Sequence, residues 1–320
     1  MLRHLMTSHI LREPQLNHVA HTSVSLALLD KNIRAYNEWL VLDALSFIAR
    51  LTDALDKWGH GSQSPTETGL NLAWNTPKPM FPALEERPVT MQRFATLMTH
   101  AATNTVFSAS HVSAYPWSSL RPDATVVDIG GSNGHCMIPI LTTHSTATAT
   151  VQDLPNLIAK AADPATCVIP ADLRSRVTFA PHNFYQPQPV RGASIYFFRM
   201  IMHIVSDALA ANILRQTVAA MSPSSKIIIM DEILPAPGSV PNVIERGMRA
   251  QDCGMMLFSN ARERDLSQWK ELFAAVDPRL EITNVIQPEG SAQGIIEVSL
   301  RGEVGGELVN GVREMKLNGV

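Results

Sequence analysis

The stretch that most constrains this chain is Val126-Val127-Asp128-Ile129-Gly130-Gly131-Ser132-Asn133-Gly134. An apolar, β-branched run ends in an acid, closely spaced glycines follow, and Met137-Ile138-Pro139-Ile140-Leu141 is apolar again. This pattern predicts a buried parallel strand, a tight turn and the start of a helix. Glycines in such a turn let the backbone approach a ligand with no Cβ in the way, and the helix N-terminus offers unpaired N–H groups. The ligand of such a unit sits over the end of the strand.

Spacing narrows the choice of ligand. A dinucleotide loop needs G-x-G-x-x-G, whereas here Gly130 and Gly131 are adjacent and Gly134 completes D-x-G-G-x-x-G. No lysine follows, which excludes a phosphate-gripping P-loop. Asp128 would repel a pyrophosphate but suits an ammonium group. A cofactor with an adenosine part, an amino-acid part and no phosphate fits, and S-adenosylmethionine is that molecule. Two further strand ends support it. Val151-Gln152-Asp153-Leu154-Pro155 puts an acid where it can accept both ribose hydroxyls, although an acid after a strand also serves as an ordinary helix N-cap. Val177 to Phe184 is another strand, ending at Asn183 and Phe184, where a side chain could bond the adenine edge.

From Thr125 onward, strands and helices alternate. Strands are expected at 125–129, 147–152, 176–180, 194–199, 226–231, 280–286 and 293–300. Helices are expected at 134–142, 155–162, 207–221, 241–258 and 266–276. The alternation predicts an α/β fold with a doubly wound sheet. Ahead of it, residues 1–22 read as a small hairpin, 23–56 and 87–108 as helices, and 69–80 as turns bearing tryptophan and proline. The tail, 301–320, is glycine-bearing and weakly periodic, and reads as loose. The expected division is therefore 1–115, mostly helical, 116–300, the cofactor domain, and the tail.

Composition removes several function classes. Net charge is −3, so no basic face for nucleic acid or anionic membrane is expected. No run has the length of a transmembrane helix, and the start of the chain is too polar for a signal peptide. The three cysteines are scattered, which suits a reduced, cytoplasmic setting. No Cys/His pair has zinc-site spacing, and the histidines are dispersed, so no metal site is expected.

The ordered set Asp128 to Gly134, Gln152-Asp153-Leu154-Pro155, Tyr196 to His203, Asp231-Glu232-Ile233-Leu234-Pro235 and Asn260 to Arg264 resembles the motifs of the caffeic-acid-type O-methyltransferases, in their fungal secondary-metabolite branch. The resemblance implies a Rossmann-like methyltransferase domain that binds S-adenosylmethionine. It also implies a preceding winged-helix and dimerisation region that lines the substrate pocket. On matching positions it makes His203 the base that takes a phenolic proton, with Asp231 and Glu263 as flanking acids. Asp128, Gly130, Gly131, Gly134, Asp153, Leu154, Asn183, Phe184 and Arg199 would hold the cofactor. The implied substrate is a small aromatic or polyketide-like metabolite, and the implied partner a second copy of the chain. Relatives carry a further N-terminal helical segment, so dimerisation is expected to be weakened here.

Two positions depart from the family pattern. Ile204-Val205 follows His203 where the family usually writes Asp-Trp, and Asn183 replaces an acid. An amide oxygen can still accept a bond from the adenine amino group. The first departure keeps two other readings in view: a non-methylating enzyme of pericyclase or dehydratase type on the same scaffold, and a degenerate, non-catalytic relative.

Overall fold

A computed structural model of the chain describes residues 1–104 and 106–301. The chain opens with α1 (Leu2–Thr7) and a two-stranded hairpin, β1 (Leu11–Gln15) and β2 (His18–His21). The expected single helix over 23–56 is broken into α2 (Ser23–Ala27), α3 (Lys31–Glu38), a π-helical segment at Trp39–Ala44, α4 (Leu45–Ile48) and α5 (Leu51–Trp58). Asp30 causes the first break. Its carboxylate accepts from Asn32 N and Ile33 N and starts a new helix.

The expected turns over 69–80 are corrected. α6 (Gly69–Trp74) and α7 (Met80–Glu85) occupy most of that stretch. α6 is nucleated by a capping box in which Thr68 and Asn71 satisfy each other's backbone N–H groups. Asn75 ends it in a left-handed conformation, φ 48°. α8 (Pro88–Asn104) completes the helical part.

The second part follows the expected alternation: β3 (Thr125–Ile129), α9 (Met137–Thr143), β4 (Thr148–Asp153), α10 (Pro155–Ala162), β5 (Val177–Pro181), β6 (Ile195–Arg199), α11 (Asp207–Val218), β7 (Lys226–Glu232), α12 (Asn242–Ser259), α13 (Leu266–Val276), β8 (Leu280–Ile286) and β9 (Gln293–Leu300). The reading of a loose tail falls, beyond residue 301, outside the described residues.

The sheet has the order β5-β4-β3-β6-β7-β9-β8, with β9 antiparallel to both its neighbours and the other pairs parallel. Both faces are covered, and alternate residues of one strand feed different cores. Tyr196 and Phe198 pack with α11 and α13 residues such as Leu214 and Trp269. Ile195 and Phe197 pack on the other face with Met137, Ile140 and Ile158. The chain winds outward from β3 through β4 to β5, then returns to wind the other way through β6 and β7. The order therefore reverses between β3 and β6, and a crevice opens outside their carboxyl ends.

A third apolar cluster joins the two parts. Trp39, Phe47, Leu70 and Leu84 are buried with Phe94 and Phe258 against them. Phe258 belongs to α12, and its ring lies 5.8 Å from Phe47 and 5.9 Å from Trp39. Phe258 thus packs into this cluster, and Met202 is wholly buried in the first core.

Candidate active site

The turn after β3 is held from the neighbouring strand. Gly130 N and Gly131 N both donate to the Gln152 carbonyl, at 2.8 and 3.1 Å. Ser132 N donates to Asp153 Oδ2 at 2.9 Å, and the other Asp153 oxygen accepts from Leu154 N at 2.7 Å. Asp153 therefore ties two strand ends together. Gly130 (φ 73°) and Gly134 (φ 77°) occupy the left-handed region that favours glycine. A Cβ on Gly130 would collide with the Ile201 side chain, and one on Gly131 with the Asp128 carboxyl group. The turn thus lies directly against the segment that carries His203, with the Phe184 ring close to Gly130.

Asp128 is buried at 2% exposure, and its Oδ2 has no hydrogen-bond partner among the described residues. Burial, with Asp153 nearby, pushes its carboxyl up to about 7 against the opposing pull of Arg199. A buried, unpartnered carboxyl group at the mouth of a glycine turn suits a ligand's ammonium group. The residues present therefore fit the amino-acid end of S-adenosylmethionine, and the exposed ends of β4 and β5 suit its nucleoside.

The other expected binding residues spread around this point. Leu154 is half exposed at the start of α10. Asn183 is exposed, and its side chain accepts from Tyr185 N at 3.0 Å. Arg199 is buried within the fold, where it donates to the Phe107 carbonyl. Its charge acts on Asp128 from the protein side. A surface hollow lined by Ala109, Ser110, Ser113, His135, Ile138 and Thr142 reaches neither His203 nor its acids.

His203 lies in a short 3-10 turn, Met202–Ile204, after β6. Its Nδ1 is 2.8 Å from Glu263 Oε1, and its backbone N–H donates to Asp231 Oδ2 at 3.2 Å. Glu263 therefore selects the tautomer with the proton on Nδ1, which leaves Nε2 able to accept one. Nε2 makes no hydrogen bond among the described residues. Asp231 holds the backbone of the turn instead of the ring. Burial pulls the imidazole pKa down, but the charge and hydrogen bond of Glu263, aided by Asp231 and Glu232, win and raise it to about 9. Burial raises Asp231 to about 6, although His203 opposes the shift.

Three neighbours carry no role in the sequence reading. Arg264, 1% exposed, donates to the Met202 and Val205 carbonyls at 2.7 and 3.1 Å, clamping the His203 turn from both sides. Its charge is met by Asp207 at 2.8 Å. Asp252 on α12 accepts from Glu263 N at 2.9 Å and fixes that residue's backbone. Glu232 is buried at the end of β7, with its Oε1 unpartnered among the described residues. Arg264 and Glu232 lie within the quoted motifs, but only the folded chain shows what they touch.

Residues 67–276 match the model of the O-methyltransferase domain family. The chain is similar to O-methyltransferase pgmB of Aspergillus terreus (strain NIH 2624 / FGSC A1156), at 38% identity over 304 residues, covering 94% of this chain and 85% of that relative. Among solved structures it is similar to LepI in complex with SAM, with a TM-score of 0.73 and 25% identity over 94% of this chain and 75% of the other. It is also similar to OxaC in complex with SAH and oxaline, with a TM-score of 0.73 and 25% identity over 91% and 72%.

Proposed function

Since the chain belongs to the O-methyltransferase family, we propose that His203 is its general base, taking the proton from a phenolic or enolic hydroxyl of a small, polyketide-like metabolite as that oxygen is methylated. The enzyme is an S-adenosylmethionine-dependent O-methyltransferase of secondary metabolism. When bound, the cofactor supplies a methyl group already activated on sulfonium sulfur. The protein's own task is to align an oxygen with that methyl and to remove its proton. Orientation of this kind is worth ~7–11 kcal/mol at best.

One observation carries the proposal: His203 Nδ1 is held by Glu263 at 2.8 Å while Nε2 has no hydrogen-bond partner among the described residues. In the form of the enzyme whose His203 is neutral, which grows as pH rises toward about 9, the acceptor hydroxyl gives its proton to Nε2. Glu263 Oε1 keeps the Nδ1 proton and stabilises the imidazolium that results. Asp128, Gly130, Gly131 and Gly134 would cradle the amino-acid end of the cofactor. Asp153 and Leu154 would take its ribose, and Asn183 and Phe184 its adenine. Arg199 would act from beneath, through Asp128. Ile204 and Val205 leave this set intact, so methyl transfer is favoured over the non-methylating and non-catalytic readings.

The organisation that accompanies this reading puts substrate and partner contacts in residues 1–115 and the cofactor in 116–300. A second copy of the chain is the proposed partner. Apolar side chains exposed on α2 and from the π-helical segment into α4, among them Leu26, Val41, Leu42, Leu45 and Ile48, support it. No helix among the described residues is long and apolar enough to cross a membrane, in keeping with a proposed cytoplasmic location.

The test is His203→Gln assayed with S-adenosylmethionine and a panel of phenols. Formation of S-adenosylhomocysteine should fall about 10²–10⁴-fold, with calorimetric cofactor affinity unchanged. A variant that keeps wild-type turnover would remove His203 from the mechanism.

A further inference from the structure

Several acids crowd His203, while Arg249 and Arg262 act on the outermost of them, Asp252. Glu263 approaches the ring, Asp231 and Glu232 come from β7, and Asp252 comes from α12. Against them stand His203 itself and Arg264, whose guanidinium is engaged by Asp207 of α11 and by two backbone carbonyls. Arg262 also pairs with Asp207. Asp231 Oδ1, Glu232 Oε1 and Glu263 Oε2 are each buried without a hydrogen-bond partner among the described residues.

The backbone brings two of these acids side by side. Ile233 and Arg264 form a parallel bridge, and Leu234 N donates to the Arg264 carbonyl at 3.0 Å. That register sets Glu232 beside Glu263, on the same side of the paired segments. Glu232 is 3% exposed and Glu263 1%. Two adjacent buried carboxyl groups with unpartnered oxygens cannot both hold a charge cheaply, and a shared proton relieves the repulsion. Glu263 is the one committed to a cation, through His203 Nδ1.

We infer that Glu232 and Glu263 form a buried carboxyl pair that holds one proton, carried by Glu232, and that this proton sets the pH at which His203 becomes a free base. Glu232 is a positioning residue, acting on His203 through charge. Burial, with the charge of Glu263, raises the Glu232 carboxyl to about 8. Below that pH the pair has one negative charge. Above it the second charge appears and holds the His203 proton more tightly. The kinetic consequence rests on His203 being the base; the proton itself does not.

The experiment is infrared spectroscopy of wild type and Glu232→Gln at neutral and alkaline pH, alongside the pH profile of methyl transfer. The wild-type minus variant spectrum at neutral pH should contain the C=O stretch of a protonated carboxylic acid, lost as pH rises through about 8. The variant's rate profile should match wild type below about pH 8, where Glu232 is already neutral, and reach its midpoint about 0.5–1 pH unit lower, so that a gain of up to about 3- to 10-fold appears only above that pH. If Glu232→Gln fails to fold, Glu263→Gln serves: with the neighbouring charge gone, the Glu232 band should titrate at lower pH than in wild type. A difference spectrum with no acid band, or a band unmoved by Glu263→Gln, overturns the pair. A band present with an unmoved rate profile overturns the proton's hold on His203, and the loss or retention of turnover in His203→Gln then shows separately whether His203 is the base.

Discussion

At the scale of single residues, the site works by placing charges where water cannot compensate them. Asp128 shows this most simply. With its carboxyl raised to about 7 by burial, it binds a proton where an exposed aspartate would not, and an ammonium-bearing ligand must compete with that proton. Cofactor affinity should therefore weaken as pH falls below about 7, by up to tenfold per unit, and level off above. Titration calorimetry across pH checks this. Asp128→Asn should bind more weakly and with a flat profile.

The same shifts set the stability of the protein alone. Asp128, Asp231 and Glu232 bind protons more tightly when folded, as does His203 at about 9. For the acids and the histidine alike, the folded state then holds more protons than the unfolded chain, so stability falls as pH rises. The contribution is full below the unfolded pKa values and is lost as pH passes through the folded ones. His135, held down to about 4 by burial, opposes this trend up to about pH 6.5; between there and about pH 9, thermal unfolding of the cofactor-free protein should move to lower temperature. A rising midpoint over that window would contradict these assignments.

At the scale of elements, the turn after β3 is a packed joint rather than a loose loop. Its N–H groups are tied to β4, and two of its glycines are required by neighbouring side chains. Gly131→Ala would drive a methyl group into the Asp128 carboxyl, at a cost of about 1–3 kcal/mol. It should also reduce cofactor affinity at least about tenfold. Denaturant unfolding and calorimetry measure the two effects separately.

This joint was legible in the sequence because strand, acid and glycines are contiguous. β3, β8 and β9 match their expected bounds to the residue, since turn-forming residues bound each run, Pro122 and Gly130, Pro278 and Pro288, and Gly290 and Gly302. The helices α6 and α7 are not legible, because Trp74, Pro77 and Pro79 read as turn chemistry and the Thr68–Asn71 capping box carries Asn where the usual signature has Glu or Gln. Glu232 was hidden for a different reason. Period-two alternation assigns Asp231 and Glu232 to opposite faces, and only the bridge between Ile233 and Arg264 shows that the second acid also reaches the site. Arg264 lies within a motif, but its hold on the Met202 and Val205 carbonyls spans about sixty residues of sequence and leaves no local signature.

At the scale of the whole molecule, topology brings the two halves of the proposed site together. The glycine turn follows β3 and His203 follows β6, the two strands on either side of the point where the sheet order reverses. Ile201 beside Gly130 is the contact between them. The helical part is fastened to this domain through the cluster of Phe47, Trp39 and Phe258. Phe47→Ala should cost about 3–5 kcal/mol, read as an earlier denaturant midpoint. The apolar surface on the N-terminal helices makes a separate prediction. Sedimentation should show a dimer that Leu42→Glu with Leu45→Glu converts to monomer, and a wild-type monomer at high concentration would contradict it.

The central claim is that Glu263 makes His203 a base by holding the proton on its far nitrogen. The pH profile of single-turnover methyl transfer by Glu263→Gln, with cofactor saturating, tests it most directly. Loss of the carboxylate should lower the plateau rate by about 10–100-fold and move the midpoint to lower pH, because the charge that raises His203 has gone. A variant whose plateau and midpoint both match wild type would contradict the account.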